Sequence, residues 1–176
     1  YLEKLVQGSK VYIFGGGHVA QEAVPTLARV NFDCIVLEDR EDFAKPELFP
    51  GARRTRLVDM EHLEEVCRDI TSDDYICVMT RGHQHDFLVE KQILRTPASY
   101  IGVIGSRKKK EAVFAKLRQE GYTDQDLARI KTPMGLDIQA ETPAEIAVSI
   151  AAEMIMERAR RNHIERPNEG GKEPCV

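Results

Sequence analysis

Val11-Tyr12-Ile13-Phe14-Gly15-Gly16-Gly17-His18-Val19-Ala20 begins as a buried strand, turns on three glycines and enters a helix. Gly15, Gly17 and Ala20 fit the spacing G-x-G-x-x-A. In that pattern the first glycine makes the tight turn out of the strand. The second lets the backbone approach a phosphate, and the third small residue lets the helix pack close to the strand. The first amides of the helix point into the turn, and its dipole favours an anion there. The run from Gly15 to Ala20, with Gly16, His18 and Val19 inside it, is therefore a candidate phosphate or pyrophosphate site. His18 either faces the ligand or fills the helix end.

Working outward, a second apolar run, Cys34-Ile35-Val36-Leu37, ends in Glu38-Asp39. This lies about twenty residues past the glycines, where dinucleotide-binding folds place an acid for a ribose hydroxyl. Arg40 beside it could instead meet a 2′-phosphate. Two further buried strands, at 75–79 and 100–104, also end in polar loops. The first runs into Thr80-Arg81-Gly82-His83-Gln84-His85-Asp86, the second into Gly105-Ser106-Arg107-Lys108-Lys109-Lys110.

Helical spacing at 19–30, 60–66, 87–94 and 111–120, with a short strand at 54–58, completes the alternation. Strands and helices joined this way predict an α/β, Rossmann-like, doubly wound fold. Its sheet is mostly parallel, with helices on both faces. Pro25 predicts a kink or early break in the first helix. The stretch with Pro46, Pro50 and Gly51 reads as a long loop. Ligands of such sheets bind at the carboxyl ends of the strands. The loops at Gly15, Glu38, Thr80 and Gly105 should therefore converge on one cleft, biased toward positive charge.

The 176 residues, 42% hydrophobic and 31% charged, suit one soluble domain over 1–161 with a polar, disordered tail over 162–176. A net charge of −4 gives no basic excess for nucleic acid. No apolar run is long enough to span a bilayer, and Tyr1-Leu2-Glu3-Lys4 is not a signal peptide, so a cytoplasmic location is expected. The four cysteines show no C-x-x-C spacing, and Cys34 and Cys77 read as small buried hydrophobes.

His83-Gln84-His85-Asp86 would put three metal ligands on one short loop, an awkward geometry. Asp86 capping the next helix is the simpler reading, and no metal site is expected. His83, with a side chain that titrates near neutrality, remains a ligand-contacting or proton-handling candidate. Ser106, Arg107 and Lys109 stand at a helix start, where cations oppose the dipole. An anionic ligand would explain them, as would a solvated charge run. Asp137, Glu141 and Glu145 are carboxylates close in sequence. Thr142 and Glu145 form a capping box with Pro143 at the first helical position. The helix that follows is apolar along Ile146, Ile150 and Met154 and along Ala147, Ala151 and Ile155.

Together these segments resemble the XdhC family, accessory proteins of xanthine dehydrogenase and related molybdenum hydroxylases. The resemblance rests on Phe14–Ala20 (FGGGHVA), Glu38-Asp39-Arg40, Thr80–Asp86 (TRGHQHD), Tyr100–Lys109 (YIGVIGSRKK) and Pro133–Glu153 (PMGLDIQAETPAEIAVSIAAE). Gln139 and Met134 stand where glycine and isoleucine are commoner in that family. The resemblance implies the carboxy-terminal Rossmann-like domain of a chaperone that binds molybdenum cofactor, as pterin or dinucleotide, and helps deliver its sulfurated form. It also implies a molybdenum hydroxylase partner and a cysteine desulfurase as sulfur source. No catalytic residue stands out. The alternatives are an NAD(P)-dependent oxidoreductase or nucleotide-binding redox sensor, resting on Glu38 and Arg40, and a docking module with an empty cleft. A homodimer is the default assembly.

Overall fold

The computed structural model describes residues 9–165, without the side chains of His83, Arg107 and 163–165. Six parallel strands form one sheet in the order β3-β2-β1-β4-β5-β6. They are β1 (Lys10–Phe14), β2 (Asp33–Glu38), β3 (Arg54–Leu57), β4 (Tyr75–Val78), β5 (Tyr100–Val103) and β6 (Ile130–Lys131). The helices are α1 (His18–Arg29), α2 (Glu64–Asp69), α3 (Gly82–Ile93), α4 (Arg107–Gln119), α5 (Asp124–Leu127) and α6 (Pro143–Glu165). The strand order reverses direction between β1 and β4, which places the crevice of the fold there.

Alternation along the central strands divides the core in two. Tyr12, Phe14, Ile76 and Val78 face one way, toward residues of α2, α3 and α4. Val11, Ile13, Tyr75 and Cys77 face the other, toward α1 and α6. Covering a parallel sheet on both faces is what makes β1 and β4 read as continuous apolar runs. Among the described residues no helix is long and apolar enough to cross a membrane.

Several expected boundaries move. α1 runs through Pro25 without a break, because Ala20, Ala23, Val24 and Leu27 are buried and hold the helix against the sheet. The loop after β2 is packed, with 3₁₀ turns at Glu41–Phe43 and Pro46–Leu48 and Phe49 only 2% exposed. α3 and α4 start several residues before their apolar stripes, since their first turns reach out to the sheet's carboxyl edge. α2 begins later than its spacing suggested. α5 and β6 are too short to carry a periodic signal. The capping box is present. Glu145 Oε2 accepts from the Glu141 and Thr142 amides at 2.8 and 2.9 Å, and Thr142 Oγ1 accepts from the Glu145 amide at 3.3 Å. Those bonds also hold the Glu145 carboxyl below its usual range. α6 continues past Asn162 to Glu165, and the rest of the tail expected over 162–176, residues 166–176, lies outside the described residues.

Candidate functional site

Each glycine of the turn after β1 has a different environment. Gly15 sits at φ +107°, and its amide donates to the Leu37 carbonyl at 2.8 Å. A Cβ there would land on the Met79 carbonyl. Gly16 donates its amide to Glu38 Oε2 at 2.6 Å, and a Cβ on it would press on the Phe43 carbonyl and the Phe49 ring. Gly17 has an ordinary backbone, φ −69° and ψ −178°, and a Cβ on it would meet nothing within 4 Å. Neither packing nor conformation demands glycine at 17.

Glu38 is 1% exposed and accepts five hydrogen bonds. The donors are the amides of Gly16, Asp39 and Arg40 and two guanidinium nitrogens of Arg40, at 2.6–3.1 Å. Burial alone would raise its carboxyl; the Arg40 bonds and the amides outweigh burial and hold it down at about 2. Arg40 in turn lies 3.8 Å over the Phe43 ring. Of the Glu38-Asp39 pair expected near a ribose and the Arg40 expected near a 2′-phosphate, Glu38 and Arg40 clasp the glycine turn to the end of β2. Asp39 extends the closure, with Arg81 at 3.9 Å and His85 at 3.6 Å. The gap enclosed by Gly15, Asp39, Arg81 and His85 holds only about 10 Å³. Glu38→Ala would strand three amides and a guanidinium. Unfolding in urea should register a loss of about 3 kcal/mol, and Glu38→Gln a smaller one.

On the other side of the β1–β4 crevice lies a cavity of about 670 Å³. Val19 of α1, Ile104 after β5, the 133–140 segment and Ile146 of α6 wall it. Thr80, Asp86, Gly105, Lys109 and Asp137 contribute its polar margin. Asp86 is 5% exposed and sits in the second turn of α3, where its carboxylate accepts from the Thr80 hydroxyl. The helix cap expected of Asp86 is thus corrected: Arg81 is the N-cap, without a side-chain bond. Ser106 caps α4 through its hydroxyl and the Lys109 amide, at 3.4 Å. Among the described lining side chains Lys109 is the one cation and faces two carboxylates, so the rim is less positive than expected.

The first turn of α1 is the open feature at this edge. No side chain caps it among the described residues, and Gln21 is the first amide to close, onto the Gly17 carbonyl at 3.0 Å. The loops therefore split. Val19, Thr80, Asp86, Gly105, Lys109 and Asp137 meet around one cavity. Glu38, Asp39, Arg40 and Arg81 form the clasp. Gly15, Gly16 and Ala20 are packed into the fold, His18 is exposed, Gly82 opens α3 at φ +79°, and Glu141 is exposed before α6. The side chains of His83 and Arg107 lie outside the described residues.

Met134, Leu136, Ile138, Gln139 and Ile146 were missed by sequence reasoning and make much of the wall. Their signals were the resembling segment from Pro133 on and, for Ile146, the apolar stripe of the last helix. Gln139 adopts φ +58°, a left-handed conformation natural to the glycine that is commoner at this position in the resembling family.

A family model for the XdhC Rossmann domain matches residues 11–154. The chain belongs to the XdhC family. It is 30% identical over 148 residues to the uncharacterized protein YqeB of Escherichia coli K12, covering 83% of this chain and 27% of that protein. It is 26% identical over 160 residues to a protein of Bacillus subtilis described as a probable xanthine dehydrogenase subunit, covering 91% and 46%. The crystal structure of a xanthine dehydrogenase from Bacillus halodurans superposes with a TM-score of 0.77 at 26% identity, covering 91% of this chain and 45% of that one. The chain thus spans less than half the length of these relatives. Within this XdhC domain, four of the five resembling segments lie at the carboxyl edge; the fifth, from Pro133 on, supplies the cavity wall and about the first half of α6.

Proposed function

We propose that this chain is the cofactor-holding domain of an accessory protein that matures a molybdenum hydroxylase of the xanthine dehydrogenase type. The 670 Å³ cavity takes the pterin of molybdenum cofactor, and the first turn of α1 takes its phosphate. The observation that carries this reading is the pairing of a sealed β2 edge with an open α1 turn beside a large, mostly apolar cavity.

The residues fit such a group. A pterin has flat faces for Ile104, Met134 and Ile146 and an edge of N–H donors for Asp86 and Asp137. Lys109 offsets phosphate charge, and Thr80 and Gly105 belong to the same margin. When bound, the cofactor supplies the metal centre that the hydroxylase will use. This chain's own part is to bind it, shield it from water and present it. A cysteine desulfurase would supply sulfur to the complex, in the cytoplasm. The five donors already on Glu38 count against it as the ribose acid of an NAD(P) site, which leaves Asp39 of that pair.

Titration with molybdenum cofactor, followed by thermal melting, tests this. Saturation should raise the melting temperature. Lys109→Glu should weaken affinity about tenfold, as expected when a like charge replaces a partner at a partly desolvated phosphate. NAD(H) and NADP(H) should leave the melting temperature unchanged. A shift with a nicotinamide dinucleotide and none with molybdenum cofactor would reverse the assignment.

A further inference from the structure

α2, the end of α3 and the turn after α4 line a second cavity, of about 360 Å³, which shares no lining residue with the first. It lies at the end of α3 away from Thr80 and Asp86. Its volume is at the small end of the roughly 300–1,000 Å³ of ligand pockets, which suits a small metabolite.

The floor of this cavity has little to offer a polar group. Gln92 is already engaged within the chain. Its Oε1 accepts from the Leu63 amide at 2.8 Å, and its Nε2 donates to the Met60 and Leu88 carbonyls at 2.9 and 2.7 Å. Cys67 is half-buried, and burial pushes its thiol up to about 11. It therefore stays neutral and behaves as a small apolar surface.

The rim is charged. Glu64 of α2, Lys91 of α3, Arg95 and Glu120 stand around one opening. Among the described residues Lys91, Arg95 and Glu120 make no ion pair within 4 Å, and Glu64 reaches only His62, at 3.9 Å. Arg95 is nonetheless held in place. Its Nε donates to the Tyr122 hydroxyl at 3.1 Å, and that hydroxyl donates to the Lys91 carbonyl near the end of α3. Both terminal nitrogens of the guanidinium are left without a partner among the described residues, in a plane that the Nε bond fixes. Such a fork matches a carboxylate. Glu120 is close enough to act on Arg95 electrostatically without closing on it.

Two charges of each sign discriminate between guests. A simple anion would meet Arg95 and Lys91 but also two carboxylates, and a simple cation the reverse. A guest that carries both signs on neighbouring atoms satisfies all four, and the floor adds a place for an apolar body. We propose that this cavity binds a free α-amino acid with an apolar side chain. Its carboxylate takes the Arg95 fork beside Lys91, its ammonium faces Glu120 and Glu64, and its side chain lies on Cys67 and the stem of Gln92. The site is independent of what the first cavity holds.

Cys67 reports occupancy at the place itself. Its alkylation by iodoacetamide, followed by peptide mass spectrometry, should slow as L-leucine, L-methionine or L-phenylalanine is added to the full chain. Glycine, which leaves the floor bare, should protect less. Leucinamide lacks the carboxylate and N-acetylleucine the ammonium, and each should need at least about tenfold more than leucine for equal protection. Arg95→Gln and Glu120→Gln change exposed side chains and should keep the melting curve of the free protein, yet each should raise the leucine requirement about tenfold. Thermal melting with the same compounds gives a second reading that does not involve the thiol. N-acetylleucine acting as well as leucine would make this a plain anion site and overturn the proposal. Leucinamide acting as well would overturn it from the other side. So would leucine, methionine and phenylalanine all leaving both alkylation and melting unchanged.

Discussion

Glu90→Gln is expected to flatten the pH dependence of stability and to leave the protein more stable than wild type above neutrality. Glu90 is 2% exposed on α3, one turn beyond Asp86, and its Oε2 has no hydrogen-bond partner among the described residues. Burial, and then the nearby Asp86 carboxylate, push its carboxyl up from 4.5 to about 8. Between those values the folded protein keeps a proton that the unfolded chain gives up. The stabilising contribution is therefore complete below about 4.5 and is lost as pH rises to about 8. A gap of that size corresponds to on the order of 5 kcal/mol. Denaturant unfolding at pH 5 and pH 8.5 should show wild type losing most of that amount and Glu90→Gln losing little of it. Parallel pH curves for the two proteins would mean that Glu90 ionises freely in the fold.

The frame of the molecule was legible because its signals are local. A strand, three glycines and a helix at Val11–Ala20, repeated in outline at 75–94 and 100–120, suffice to specify alternating elements and a parallel sheet. The capping box at Thr142 and Glu145 is likewise a short-range pattern, and α6 begins where it says. Contacts that depend on distant chain were not legible. Spacing offers Glu38-Asp39 to a ribose and says nothing of what Glu38 bonds within the chain. Its actual partners include Gly16, twenty-two residues earlier, and its setting depends on Phe43 and Phe49, which a proline-rich stretch carries over the turn. Asp86 looked like a cap because apolar periodicity marks only the buried part of α3; the exposed first turn has no such mark. The cavity wall at 133–140 has neither helical nor strand periodicity, so its role becomes visible only when β5 and α6 bring it over the crevice.

The glycine turn separates fold from function through two substitutions two residues apart. Gly15→Ala should cost about 3–4 kcal/mol, in the range of a backbone clash that cannot relax. The added Cβ collides with the Met79 carbonyl, φ +107° is unfavourable for alanine, and the segment is pinned on both sides. The Gly15 amide bonds Leu37 at 2.8 Å and the Met79 amide bonds Phe14 at 2.7 Å, so any shift strains the ladders to β2 and β4 together. Gly17→Asp should do the opposite. The site has open space and extended backbone, and position 17 is the N-cap of α1, where a carboxylate can accept an amide bond and meets the positive end of the dipole. The variant should fold at least as stably as wild type, by up to about 1 kcal/mol. Yet its carboxylate would occupy the place proposed for the cofactor's phosphate. Binding of molybdenum cofactor should therefore fall by at least about tenfold, while the melting temperature of the free protein holds or rises. Equal binding by wild type and Gly17→Asp would remove the α1 turn from the site. The glycine at 17 would then lack the ligand-based explanation, since nothing in the packing around it calls for one.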